Sequence, residues 1–123
     1  MHPANSNPRV ALYARSSSMQ QGSDGAITRQ LSELRQRIAE EGGSIDDEAC
    51  FIDKGVSGAS VARPALQRLR ERAARGDLDR IYVLAPDRLA RSSASLTQLT
   101  AEFTQAGAEL IFLDPTASQQ AWK

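Results

Sequence analysis

Within Tyr13-Ala14-Arg15-Ser16-Ser17-Ser18, hydroxyls and a guanidinium recur at a spacing of two. If the chain stays extended that far, Tyr13, Arg15 and Ser17 share one face, and Ser17 is the serine that accompanies a cation. Farther along stands Asp87-Arg88-Leu89-Ala90-Arg91. A helical turn there would bring Arg88 and Arg91 together at i,i+3 and Asp87 and Arg91 together at i,i+4, so that a carboxylate could orient an arginine. A serine hydroxyl beside several arginines suits attack on a phosphate. Phosphoryl transfer needs positioning and charge stabilisation of the non-bridging oxygens more than covalent help, and arginine supplies both without a metal. Apart from Lys54 and Lys123, every basic residue is arginine, the side chain suited to bidentate phosphate contacts.

Each of these segments also has a plainer reading. A GC-rich genome favours Arg and Ala, a helix start often carries a solvated ion pair, and serines populate caps and turns for local reasons. What is missing narrows the chemistry further. The only histidine is His2, so a Ser-His-Asp hydrolase has no base in the body of the chain. There is no Walker sequence, no dinucleotide fingerprint and no pair of carboxylates suited to two metals. The single cysteine, Cys50, offers no disulfide and no Cys/His metal set. No metal and no cofactor is expected.

The elements that must hold these residues follow from periodicity. Arg9 to Arg15 reads as a first strand, and Ile27, Leu31, Leu34 and Ile38 recur at helical spacing up to Gly42-Gly43. Glu48 to Ile52 reads as a second strand, followed by a loop over Asp53 to Ser60 that is expected to be mobile. Pro64 opens a helix with Leu66, Leu69 and Ala73 on one face, ending at Gly76 and placing Arg63 at its entrance. Arg80 to Ala85 is a third strand. Leu96, Leu99, Phe103 and Ala106 mark a helix ending at Gly107, and Ala108 to Leu113 is a fourth strand. Alternating strands and helices predict an α/β fold, with a mostly parallel central sheet of about four strands flanked by helices on both faces.

The length suits one domain, taken as 9–114 between a disordered leader, 1–8, and a polar tail, 115–123. Ligands bind beyond the carboxyl ends of strands in such sheets, which nominates Arg15 to Gln21, Asp53 to Arg63, and Pro86 to Arg91. The formal net charge of zero implies a weak grip on nucleic acid by this piece alone. No apolar run is long enough for a bilayer and the first residues are not signal-like, so no membrane is expected and the cytoplasm is the default compartment.

These residues also resemble the resolvase/invertase family of serine site-specific recombinases. The family's Tyr-x-Arg-x-Ser is similar to Tyr13, Arg15 and Ser17. Its Asp-x-Gly-x-Ser-Gly stretch and later Arg-Pro match Asp53 to Gly58 and Arg63-Pro64, and its Asp-Arg-Leu-x-Arg matches Asp87 to Arg91. The resemblance implies a resolvase-like catalytic domain whose partners are double-stranded DNA and other recombinase subunits. Ser17 would be the nucleophile, joining a DNA 5′ end as a phosphoserine and freeing a 3′ hydroxyl. Arg15, Arg88 and Arg91 would surround the scissile phosphate, Arg63 would contact DNA phosphate near it, and Gln21 and Asp87 would position these groups.

Two departures are local. Ser16 stands where the family commonly has a small apolar residue, and Ala85-Pro86 precedes Asp87 where an aliphatic residue is more usual. With three consecutive serines, a shift of register would make Ser16 or Ser18 the reactive one. A larger departure is that family members continue into a long dimerisation helix and a DNA-binding domain, whereas this chain stops at Lys123. An excised or naturally truncated catalytic domain is therefore expected, monomeric or weakly self-associating, and unable to recombine DNA alone. The rival readings are a catalytically silent recombinase-like fragment that regulates or binds recombinase subunits, and a doubly wound signalling or nucleotide-binding domain. The last lacks the expected acidic cluster and phosphate-cradling glycine loop.

Overall fold

A computed structural model describes residues 8–16, 23–54, 63–90 and 92–114, with the side chains of all of these except 23–26. The strands are β1 (Val10–Arg15), β2 (Cys50–Asp53), β3 (Arg80–Val83) and β4 (Glu109–Phe112), and the helices are α1 (Ser23–Glu40), α2 (Pro64–Ala74), α3 (Pro86–Leu89) and α4 (Ser93–Gln105). The four strands form one sheet in the order β2-β1-β3-β4, every pair parallel. The predicted α/β architecture is thus the observed one.

The strand order explains which helix lies where. The chain steps outward from β1 to β2 and then returns across β1 to β3. Right-handed crossovers in opposite directions put their helices on opposite faces. Accordingly Leu34 and Ile38 of α1 pack with Val10, Leu12 and Tyr82 in one core. Leu66 and Leu69 of α2 and Phe103 of α4 pack with Ala11, Tyr13, Ile81 and Val83 in the other. β1 feeds both cores by strict alternation, so all six of its residues are buried and it reads as a continuous apolar run closed by Arg15.

Helix ends behave as the glycines imply. Gly76 and Gly107 take φ of +78° and +89°, a left-handed conformation that glycine adopts at little steric cost after a last helical turn. Strand boundaries moved more. Asp47–Ala49 form a 3-10 turn, so the second strand runs from Cys50 to Asp53 rather than from Glu48 to Ile52. Asp53 is therefore a strand residue, while the expected mobile loop lies, from residue 55 on, outside the described residues. The third strand ends at Val83, two residues early, because the chain turns at Ala85 into the short helix opened by Pro86. Among the described residues no helix is long and apolar enough to cross a membrane.

Phe103 is fully buried and is the large side chain that α4 contributes to its core. Phe103→Ala should lower unfolding free energy by about 3–5 kcal/mol. Urea unfolding followed by circular dichroism measures this; a loss below about 1 kcal/mol would mean that α4 is not seated as described.

Candidate active site

β1 is flanked by β2, reached by one crossover, and β3, reached by the reverse one. The topological switch point thus lies between β1 and β3, where ligands of open parallel sheets bind beyond the carboxyl ends. Arg15 closes β1 at that point. Its guanidinium reaches across to α3, Nε donating to the Arg88 carbonyl at 3.2 Å and Nη2 to the Asp87 carbonyl at 2.9 Å. Arg63, at the entrance of α2, reaches the same turn, its Nη2 donating to the same Arg88 carbonyl at 3.3 Å. The last carbonyls of a helix have no partners within it. Here two guanidinium groups supply them, and the single turn that carries Asp87 and Arg88 is fixed against β1 and α2.

Arg63 is held by a second set of contacts. Tyr13 Oη accepts from Arg63 Nη2 at 3.0 Å and Nε at 3.3 Å, and donates to Asp53 Oδ2 at 2.7 Å. The guanidinium carbon also lies 5.5 Å from the Tyr13 ring centroid, within range of a cation–π attraction. Asp53 itself is 2% exposed. Its two oxygens accept from the amides of Ala65 and Leu66 at 2.9 and 3.1 Å, at the start of α2. That helix starts with Pro64, and its cap residue Arg63 makes no side-chain capping bond, so a carboxylate from the neighbouring strand serves as the cap.

The electrostatics are those of crowded cations. Burial lowers the Arg15 pKa, and repulsion from Arg63 and from Arg88 lowers it further, with Tyr13 and Asp87 opposing. Burial raises the Tyr13 phenol far above its ordinary value, opposed by its hydrogen bond from Arg63 and reinforced by the one to Asp53. Tyr13 is thereby kept as a neutral bridge between a cation and an anion.

Of the residues singled out from the sequence, the structure brings Arg15, Arg63, Asp87 and Arg88 together. Ser17, Gln21 and Arg91 lie outside the described residues. The pairings expected of Arg91 with Arg88 and with Asp87 therefore also lie outside the described residues; α3 itself ends at Leu89, and Ala90 is extended, with φ −147° and ψ 151°. Asp87 meets Arg15 through its backbone carbonyl. Three further residues belong to the site framework. Tyr13 and Asp53 stood in the motifs without an assigned part, whereas Gln30 was missed. Its Oε1 accepts from the Arg15 amide at 3.3 Å and its Nε2 donates to the Arg15 carbonyl at 3.0 Å. The available signal was a polar residue inside the apolar stripe formed by Ile27, Leu31 and Leu34. Among the described residues no group of His, Cys, Asp or Glu is arranged to hold a metal.

Fold and site together define a parallel α/β domain with an arginine-rich site at the switch point of its sheet. Residues 10–121 match the family model described as the resolvase N-terminal domain. The chain is 34% identical over 112 residues to a resolvase/recombinase of Pseudomonas putida, covering 91% of this chain and 55% of that protein. It is 34% identical over 106 residues to the transposon Tn3 resolvase of Escherichia coli, covering 86% of this chain and 50% of that one. It thus spans about half the length of these two relatives. Among solved structures, the N-terminal catalytic domain of TP901-1 integrase superposes with a TM-score of 0.78 at 31% identity, covering 86% of this chain and 78% of that one. The chain belongs to the resolvase family, as a serine recombinase catalytic domain.

Replacing Tyr13 by Phe removes the hydroxyl that bridges Asp53 and Arg63. The expected loss is about 1–3 kcal/mol of unfolding free energy, because both buried partners lose a bond; an unchanged urea midpoint would refute the bridge. In a Tyr82→Phe background, Tyr13 is the chain's sole tyrosine. Its folded-state pKa is raised, so it contributes stability that is fully present below the unfolded value of about 10 and is lost as pH rises through the folded value. Tyrosinate absorbance should therefore lag behind that of a free tyrosine and appear with loss of the circular dichroism signal. Ionisation near pH ~10 in a still-folded protein would contradict the buried bridge.

Proposed function

We propose that this domain cleaves and rejoins double-stranded DNA, with Ser17 as the nucleophile. The Ser17 Oγ–phosphorus bond forms as the bond from phosphorus to the 3′ oxygen breaks. The DNA 5′ end becomes a phosphoserine, the 3′ oxygen leaves as a hydroxyl, and the serine proton is passed to solvent or to the leaving oxygen. One phosphoester replaces another, so the reverse attack by a 3′ hydroxyl rejoins the strand without an external energy source. Arg15, Arg88 and Arg91 surround the scissile phosphate, Arg63 contacts phosphate near it, and Gln21 and Asp87 position these groups.

The observation that carries this reading is the convergence of Arg15, Arg63 and the Arg88 turn at the switch point. Arg15, whose pKa is lowered by burial and by the neighbouring cations, is relieved by an arriving anion, and charge stabilisation that is already organised is the main contribution an enzyme can make to phosphoryl transfer. Among the three serines, Ser16 is 4% exposed and its amide extends the ladder to the Asp53 carbonyl at 3.1 Å. A serine buried in the sheet is not presented to DNA, which favours Ser17. Net neutrality assigns most of the DNA affinity to other parts of a complete recombinase, so this chain alone does not recombine DNA. Its further partners are other recombinase subunits, and it acts in the cytoplasm.

The test joins this chain to the dimerisation helix and DNA-binding domain of a related recombinase and supplies that protein's nicked recombination site. A covalent adduct on the 5′ end that vanishes with Ser17→Ala is expected. Arg88→Ala should slow adduct formation by at least about a hundredfold, the usual consequence of losing roughly 3 kcal/mol from one preorganised donor. No adduct from a folded, dimeric, site-bound chimera would favour the regulatory fragment instead, and near-normal cleavage by Arg88→Ala would remove that residue from the site.

A further inference from the structure

The β1–β3 ladder stops just where the site begins. Arg80 donates to the Arg9 carbonyl at 3.2 Å, and the register pairs Val10 with Arg80 through Tyr13 with Val83. Continuing that register sets Arg15 opposite Ala85. The Arg15 amide would then need the Leu84 carbonyl, and the Arg15 carbonyl would need an N–H at position 86. Neither is supplied. The Leu84 carbonyl accepts from the Asp114 amide at 2.8 Å, and residue 86 is proline, which has no N–H.

Gln30 replaces both. Its side-chain amide presents an acceptor and a donor to one residue, as a neighbouring strand would, at 3.3 Å to the Arg15 amide and 3.0 Å to the Arg15 carbonyl. Gln30 is 2% exposed and lies on α1, between Ile27 and Leu34, both of which are buried. A buried amide is costly unless bonded at both ends, so the pairing holds α1 and the end of β1 in one relative position.

We propose that Gln30 is a positioning residue for strand cleavage, acting through the Arg15 backbone rather than by touching DNA. The inference rests on Ser17 being the nucleophile. The Arg15 amide belongs to the peptide that enters Arg15, and the Arg15 carbonyl to the peptide that leaves it. Fixing both sets the direction of the Arg15 side chain into the site and the direction in which the backbone departs towards Ser17, two residues on. Misplacing a reacting group by about 1 Å costs on the order of a hundredfold in rate. A single clamp therefore governs both the nucleophile and one of its phosphate ligands.

Two variants separate this from a role in folding. Gln30→Met keeps the length and removes both bonds. Gln30→Glu keeps the acceptor and puts a second acceptor against the Arg15 carbonyl. Amide hydrogen exchange in the chain itself should show protection at Arg15 falling about tenfold or more with Gln30→Met, which removes the acceptor of that amide, while Leu12 and Tyr13 in the strand interior keep theirs. In the DNA-binding chimera, single-turnover formation of the 5′ adduct should slow by about tenfold or more with DNA affinity unchanged. Unchanged Arg15 protection in Gln30→Met overturns the clamp. Lost protection with an unchanged adduct rate overturns its part in positioning. An adduct that survives Ser17→Ala refutes the nucleophile assignment instead, and the Arg15 exchange then still decides whether the clamp exists.

Discussion

The carboxylate of Asp53 constrains more of this domain than any other single group. A buried carboxylate without partners is too costly to keep, so the surrounding structure must bring donors to it. It obtains them from three places: the Tyr13 hydroxyl and the amides of Ala65 and Leu66. These bonds join the end of β2, the middle of β1 and the first turn of α2. Arg63 precedes that first turn, and Tyr13 accepts from it, so the position of a site arginine follows from the solvation of an anion one strand away. The Coulombic sense agrees: the negative group lies at a helix amino terminus and next to a tyrosine that bonds to a cation.

Proline 86 is the second constraint. By closing the β1–β3 ladder it opens the sheet at its switch point, and by fixing the first residue of α3 it turns the chain so that the Asp87 and Arg88 carbonyls face β1. Arg15 and Arg63 then meet at one carbonyl. Two cations held so close repel each other, and that repulsion adds to burial in lowering the pKa of Arg15. The cost is borne because each guanidinium is anchored by oxygen acceptors, and because the hydrophobic faces of β1, α2 and β3 are packed regardless of what happens at the sheet's end.

The two cores have different parts in this. The larger, formed by α2 and α4, supports Arg63 and Tyr13. The smaller, beneath α1, supports Gln30 and through it the Arg15 backbone. The site is thus built at the junction of two layers that meet only in the sheet, and β1, buried on both faces, is the element common to both.

The element order, the parallel sheet, the helices on both faces and the three segments at the strand ends were legible in the sequence. Each depends on local periodicity, on prolines and glycines, or on a topological rule that holds across folds. The gathering of Arg15, Arg63, Asp87 and Arg88 beyond the strand ends was legible for the same reason: motif spacing and strand-end position are properties of a linear chain. What the tertiary structure decided was how those residues are held. Asp53 looked like the first residue of a loop, yet it is a buried strand residue that caps a helix twelve positions later. Arg88 looked like part of a solvated helix start, yet its carbonyl, at the end of a single turn that closes at Leu89, takes donors from both Arg15 and Arg63. Gln30 looked like a polar interruption in an apolar stripe, and its purpose exists only once α1 lies against the end of β1. Such partnerships join residues 12 to 73 positions apart. Periodicity reports on a single element, whereas the need to satisfy a buried polar group is met by whichever element the packing brings near.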